Sequence, residues 1–405
     1  MKRLGLFAAA TAVVCLLSPS AASAQMTWTC ATESAAWAPR TNHESFIFDG
    51  KMWLIGGFRV FPDEPMNDVW YSTNGKDWTL ATDSAPWPAR GASPVAILRD
   101  TMWLTGGFVG SGPQLNDVWF SADGVNWTCA TDSAPWPARC AHEAVAFNNK
   151  IWLMGGISGS TVFNDVWCSS DGVNWTCVAD SAPWYGRLDY TMALLDGRMW
   201  LMGGMTLSWP LHDVWYSSDG DSWTCATATA NWPGRAGLTS VVFDNKLWVM
   251  GGYPPNPDRL NDVWYSSDGV DWTCADSAAD WRPRGWHTSL VYDNKICVMG
   301  GDSTANSLTI SDVWYSSGLG IAETPNAEVR TTSPGPTIVR GVLRLADGTR
   351  HTACSAGLLD ISGRKVLDLQ PGANDVSRLS PGVYFVAEPG TTGEEPRASK
   401  IVIQH

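Results

Sequence analysis

Short runs in which apolar residues alternate with polar ones recur along most of the chain, separated by Gly, Pro, Asn, Asp and Ser. One run, such as Lys51-Met52-Trp53-Leu54-Ile55, ends in a Gly-Gly pair, and such pairs begin at Gly56, Gly106, Gly155, Gly203, Gly251 and Gly300, 48 to 50 residues apart. After a variable loop a second run opens with Asp-Val-Trp, at Asp68, Asp117, Asp165, Asp213, Asp262 and Asp312. A turn such as Ser170-Asp171-Gly172 leads to a third run around Trp28, Trp78, Trp127, Trp175, Trp223 or Trp272. A loop ending in Arg then introduces a fourth, for example Ser45-Phe46-Ile47-Phe48. A period of two marks strands, and four short strands joined by tight turns make one propeller blade. Repetition at about 50 residues predicts six blades.

The tryptophans keep the same register. Of 25, all but Trp209 and Trp286 occupy repeated positions. Most are expected to pack between neighbouring sheets. For those preceding the Arg (Trp37, Trp87, Trp136, Trp184, Trp232, Trp281) a carbohydrate platform is the alternative. The sixth repeat stops at Trp314-Tyr315-Ser316, whereas the chain carries a spare strand at its start, Met26-Thr27-Trp28-Thr29-Cys30. That strand is expected to complete the last blade and so remove an open edge.

Charge narrows the function classes. The net charge is −13, which repels a phosphate backbone and disfavours nucleic-acid binding. Lys2 and Arg3, the apolar run Leu4 to Leu17 and Ala22-Ser23-Ala24 predict a signal peptide over residues 1–24, cut before Gln25. No later stretch approaches the ~20 apolar residues of a membrane span. Cys15 lies in the leader, which leaves nine of ten cysteines, an odd number. Cys30, Cys129, Cys177, Cys225 and Cys274 recur as Trp-Thr-Cys and are expected to be buried small side chains, while Cys140 and Cys168 are a conceivable pair. No CxxC supports a cysteine metal site.

The pattern Arg139-Cys140-Ala141-His142, Gly155-Gly156, Asn164-Asp165-Val166-Trp167 and Trp175 resembles the kelch repeat. The resemblance covers residues 26–316 and implies an all-β, six-bladed kelch-type β-propeller over residues 25–316, like the central domain of galactose oxidase. The turn from Ser169 to Trp175 is similar to the Asp-box of sialidase-type propellers but one residue short of it, and is read as a hairpin turn. Past a polar linker, 317–336, short alternating runs (Leu358-Leu359-Asp360-Ile361, Lys365-Val366-Leu367, Val383-Tyr384-Phe385-Val386, Lys400-Ile401-Val402-Ile403) predict a small C-terminal β-sandwich, residues 337–405. It resembles the sorting domain of the bacterial type IX secretion system, which implies a secreted or surface-displayed bacterial protein and that machinery as a partner.

Binding usually occurs on loops mounted on a rigid scaffold. The arginines Arg40, Arg90, Arg139, Arg187, Arg235 and Arg284 recur in every repeat and are expected to bond loop carbonyls or neighbouring acids; a ring around an anionic ligand is the alternative. Three residues after each Arg stand His43, Ser93, His142, Tyr190, Leu238 and His287, near the mouth, where three imidazoles are a conceivable metal set. Trp209 and Trp286, with Phe58, Phe61 and Tyr253, are a conceivable aromatic platform. The candidate mouth residues are therefore Arg40, His43, Arg139, His142, Arg187, Tyr190, Trp209, Tyr253, Arg284, Trp286 and His287. Glu44 reads as the only Glu near an inner strand. No phosphate loop, HExxH or nucleophile elbow occurs, and no cofactor is expected. The reading is a monomeric ligand-binding module for a glycan or an extracellular protein. The alternatives are a carbohydrate enzyme, similar to sialic-acid mutarotases or to copper-radical oxidases, and a structural surface protein.

Overall fold

The computed structural model describes residues 26–316, apart from 60–63, 256–257 and 304–307, and beyond them the strand residues between 328 and 403. The leader 1–24, most of the linker 317–336 and Phe61 lie outside the described residues. Every regular element described is a β-strand.

Five separate four-stranded antiparallel sheets share one plan. Glu44–Phe48, Lys51–Ile55, Val69–Ser72 and Trp78–Thr82 lie side by side in chain order. The same order runs from Val95–Ile97 to Thr128–Thr131, from Glu143–Phe147 to Trp175–Ala179 and from Thr191–Leu195 to Thr224–Thr227. In the fifth, Trp28–Thr32 lies against Val313–Ser316, with Trp28 opposite Ser316, so strands from the two ends of this region share a sheet. Thr239–Phe243, Lys246–Gly252, Leu260–Ser266 and Thr273–Asp276 repeat the order inside a seven-stranded sheet, which Arg284–Gly285 extends by pairing with Leu260.

The first strands of these ladders, beginning at Glu44, Val95, Glu143, Thr191, Thr239 and Thr288, each touch the next, and the last touches the first. The sheets therefore radiate from one axis: the fold is an all-β propeller. A backbone belt closes the same circle. Ala92 N–H donates to Asn42 O, Ala141 to Ala92, Asp189 to Ala141, Gly237 to Asp189, Trp286 to Gly237 and Asn42 to Trp286, over 2.8–3.2 Å. All six residues have a positive φ, between 48° and 58°, a region that L side chains other than Asn and Asp rarely adopt.

Tryptophan packing holds each sheet to its neighbour. The residues preceding the arginines are no more than 1% exposed and meet the next tryptophan edge to face, as Trp136 does Trp175 at 5.9 Å. Edge-to-face geometry adds to the burial energy. A sugar platform at these six positions is ruled out, because no ring face reaches solvent. The glycine turns interlock as well: a Cβ on Gly172 (φ 73°) would collide with the Trp103 ring of the preceding sheet.

The cysteine expectation needs correction. Cys129, Cys177, Cys225 and Cys274 are exposed, because the outermost strand has no further strand beyond it and only its Trp turns inward. Cys140 and Cys168 are both buried and unpaired. Burial lifts the Cys140 thiol to about 12.

The described residues divide into two compact units at residues 319 and 320. The second holds a three-stranded sheet and a five-stranded one in which Thr337–Val339 runs parallel to Arg397–Ile403.

Candidate functional site

Each arginine that recurs in the repeat closes a loop onto its own sheet. Arg139 donates from both ends of its guanidinium to Asp165, at 2.6 and 2.7 Å, from the same Nη1 to Gly155 O at 2.8 Å and from Nε to Pro137 O at 3.1 Å. The Trp167 indole donates to the same Asp165 at 2.7 Å. Arg40 with Asp68, Arg187 with Asp213 and Arg284 with Asp312 repeat the arrangement, as do Arg90 with Asp117 and Arg235 with Asp262. Burial alone would raise the Asp68 carboxyl, yet the Arg40 guanidinium holds it below the usual range. All six arginines are 0–1% exposed. Arg40, Arg139, Arg187 and Arg284 are therefore not ligand groups at the mouth: their donors are spent inside the blades.

The belt rims a cavity of about 180 Å³ on the axis, lined by the residues that follow each Arg. His43, His142, Tyr190, Trp286 and His287 line it. So do Glu44, Glu143 and Asp189. Glu143 opens the strand Glu143–Phe147, four residues after Arg139, as Glu44 follows Arg40, so Glu44 is not the only glutamate there. The register of the repeat was signal enough to find it.

Surrounding protein strips water from these carboxyls although each keeps some surface towards the cavity. Burial lifts Glu44 to about 8. It lifts Glu143 well above the carboxylate range, helped by the charges of Glu44 and Asp189. Asp189 rises to about 6 through burial, which outweighs the lowering effect of the Trp286 side chain. The imidazoles move the other way: burial and the nearby Arg40 push His43 down to about 3, and His142 and His287 also fall well below their ordinary value. All three are neutral at pH 7.

The histidines do not converge. His43 Nε2 lies 3.0 Å from Thr288 Oγ1 and His142 Nε2 lies 3.1 Å from Thr105 Oγ1. Their Nδ1 atoms and both nitrogens of His287 are buried and have no hydrogen-bond partner among the described residues. Among the described residues, no three His, Cys, Asp or Glu are placed to hold a metal ion. The Tyr190 hydroxyl donates to Met154 O and accepts from Glu143 N–H, so the phenol braces the neighbouring sheet.

The aromatic platform is only partly assembled. Trp286 stacks on Tyr253, ring centroids 5.9 Å apart, and Arg259 lies over both rings while Asp302 grips its guanidinium at 3.0 Å. Trp209 is 54% exposed but does not line the cavity, and Phe58 is buried against Phe108.

The family model described as the KLHDC2/KLHL20/DRC7 kelch-repeats domain matches residues 119–301. Among solved structures, the one titled "Structure of YjhT" superposes with a TM-score of 0.59 at 17% identity, covering 70% of this chain and 96% of that one. At that identity the likeness speaks for the fold alone. No curated protein matches the sequence. Repeat pattern and radial sheets agree that the fold is a β-propeller, and the part of it from residue 119 to 301 is similar to the kelch-repeats family model.

Proposed function

We propose that the chain is an exported, six-bladed kelch propeller that binds a small sugar in its axial mouth. The ladder Thr239–Asp276 counts as a blade in this reading, and the C-terminal unit directs export through type IX secretion machinery. The observation that carries the binding assignment is the asymmetry of the mouth. The clamps repeat six times, but Glu44, Glu143, Asp189 and Trp286 each break the repeat, and all four line one cavity. Asymmetric groups on a symmetric scaffold are where a ligand gains specificity. The cavity is smaller than the ~300–1,000 Å³ of pockets for drug-sized ligands, which fits a single sugar unit. Hydroxyls of Ser93, Thr191 and Ser240 on the walls offer hydrogen bonds, and Trp286 offers apolar surface.

A glycan array probed with the purified protein tests this. Saturable binding to one sugar class, lost in Trp286→Ala with the melting temperature kept near wild type, is the expected result. Silence across the array, or binding indifferent to Trp286→Ala, refutes it. An enzyme acting on the same sugar is favoured by one observation, the raised carboxyl of Asp189, since such groups serve as acid–base catalysts near neutral pH. Turnover abolished in Asp189→Asn with binding retained would establish that second reading.

A further inference from the structure

Three departures from the repeat meet at one place. Three residues before the Asp of each clamp stand Pro65, Gln114, Val162, Pro210 and Thr309, all uncharged, but Arg259 in the remaining unit. Directly after the Gly-Gly pairs stand Phe58, Phe108, Ile157, Met205 and Tyr253, all with apolar bodies, but Asp302 in the last. Five belt positions hold Asn42, Ala92, Ala141, Asp189 and Gly237, whereas the sixth holds Trp286.

These exceptions touch one another. Nε and Nη2 of Arg259 donate to the two carboxylate oxygens of Asp302, each at 3.0 Å. The guanidinium carbon lies 4.9 Å from the Trp286 ring centroid and 4.4 Å from that of Tyr253. The Arg259 and Asp302 side chains are only 11% and 6% exposed, and a cation–ring contact withdrawn from water is stronger than an exposed one. Asp302 is itself fixed, because it pairs with Gly285, the residue before Trp286, in a short ladder.

What this cluster holds is a wall of the mouth. Trp286 and Gly237 line the axial cavity, while Arg259 and Asp302 do not. A Cβ on Gly237 would sit 3.1 Å from two carbons of the Trp286 ring, so the ring lies over that neighbouring belt residue. The belt fixes the backbone of Trp286 but leaves its side-chain torsions a choice of staggered wells. The guanidinium, planar and gripped at both of its donors, selects one of them.

We infer that Arg259 is a positioning residue for ligand binding: clamped by Asp302, it fixes the Trp286 ring over Gly237 before a sugar arrives. This rests on the sugar-binding reading above and deepens it by naming what pre-organises the platform. A ring already held in place spares the ordering cost that binding would otherwise incur, so Arg259 raises affinity without touching the sugar.

Two measurements on the full-length protein test this. With isotope-labelled tryptophan, the indole N–H signal of Trp286 is the one missing from Trp286→Phe. Arg259→Met keeps the length of the side chain but neither its charge nor its fork. It should shift and broaden the Trp286 signal while leaving those of Trp136, Trp184 and the other buried indoles in place, which also shows that the variant folds. Asp302→Asn should move the same signal less. On the glycan array, read over a range of protein concentrations, Arg259→Met should bind the glycans that wild type binds about two- to tenfold more weakly, the scale of ordering one side chain, with Arg259→Lys between the two. An unmoved Trp286 signal overturns the inference, and so does movement of all the indole signals together, which would mean general loosening. Array affinity equal to wild type in Arg259→Met overturns it too, while sugar binding stands. If no arrayed glycan binds the wild-type protein, the sugar reading falls and the inference with it.

Discussion

The backbone belt ties Asp189 to Trp286 through Gly237, whose N–H donates to Asp189 O at 2.8 Å and whose carbonyl accepts from Trp286 N–H at 2.8 Å. The Trp286 side chain also favours the ionised form of the Asp189 carboxyl that burial disfavours. Trp286 holds a φ of 48°, costly for so large a residue, in a closed belt that over-determines its conformation. Replacing Trp286 with Phe keeps the belt and removes the indole N–H that favours the ionised Asp189. The variant should lose more stability at pH 8, where Asp189 is ionised, than at pH 5, where it is protonated. Urea unfolding at the two pH values checks this; an equal loss at both would mean the indole N–H does nothing for the carboxylate.

Arg139 and Asp165 carry the second prediction. Arg139→Ala leaves a carboxylate buried beside Gly155 O without its fork of donors, and removal of one partner from such a pair costs about 3–5 kcal/mol. Arg139→Lys recovers only part, since a point charge cannot reach both oxygens and two carbonyls at once. Denaturant midpoints ranking wild type above Lys above Ala are expected. A Lys variant equal to wild type would show that the bidentate geometry is unimportant.

Gly172 supplies a third. Its positive φ strains any side chain, and a methyl there runs into the Trp103 ring across the sheet boundary. Gly172→Ala should cost more than the ~1 kcal/mol of backbone strain alone, because the collision adds overpacking of about 1–3 kcal/mol. Gly197, also at positive φ (68°) but with open space around its Cβ, is the control: Gly197→Ala should show the strain component only. Thermal melts of the two variants make the comparison, and equal losses would rule out the interlock.

Much of this architecture was legible because it repeats. The Gly-Gly, Asp-Val-Trp and Trp-Thr-Cys spacings made legible the strand order and the use of the strand around Trp28 to complete the last sheet, where the structure pairs Trp28 with Ser316. The arginine clamp was partly legible, since Asp165 follows Arg139 at a similar interval in every unit. What repetition hides is the site. Glu143 was within reach of the repeat register, four residues after Arg139 as Glu44 is after Arg40, but Asp189 is an ordinary charged residue in the sequence, and only folding sets all three on one cavity. The rim cysteines show the opposite failure: regular recurrence suggested burial, but the outermost strand repeats just as regularly at the surface. Trp209 and Trp286 stood out equally as departures from the repeat, and only the structure distinguishes an exposed loop residue from a belt member.

The last prediction concerns pH. Glu44 titrates near 4.5 in an unfolded chain and about 8 here; Asp189 moves from 3.8 to about 6, and Glu143 moves in the same direction. A carboxyl whose folded value is raised contributes stability that is fully present below its unfolded value and is lost as pH climbs through the folded one. The histidines work with the opposite sign. His43 falls from 6.5 to about 3, so its contribution is present above 6.5 and lost as pH drops towards 3. Between about 4.5 and 6.5 the two effects oppose one another, but from 6.5 to 8 only the carboxyls are still changing. The melting temperature should therefore fall from pH 6.5 to pH 8.5, by several degrees for a propeller of this size. Glu44→Gln with Glu143→Gln removes two of the three charges that build up in the cavity and should flatten that slope, while leaving the acid-side loss from His43, His142 and His287 in place. General repulsion among the protein's acidic residues would act on both proteins alike, so the difference between their slopes isolates the mouth. A double variant with the wild-type slope would show that Glu44 and Glu143 ionise at their ordinary values and that the cavity is better hydrated than its walls imply.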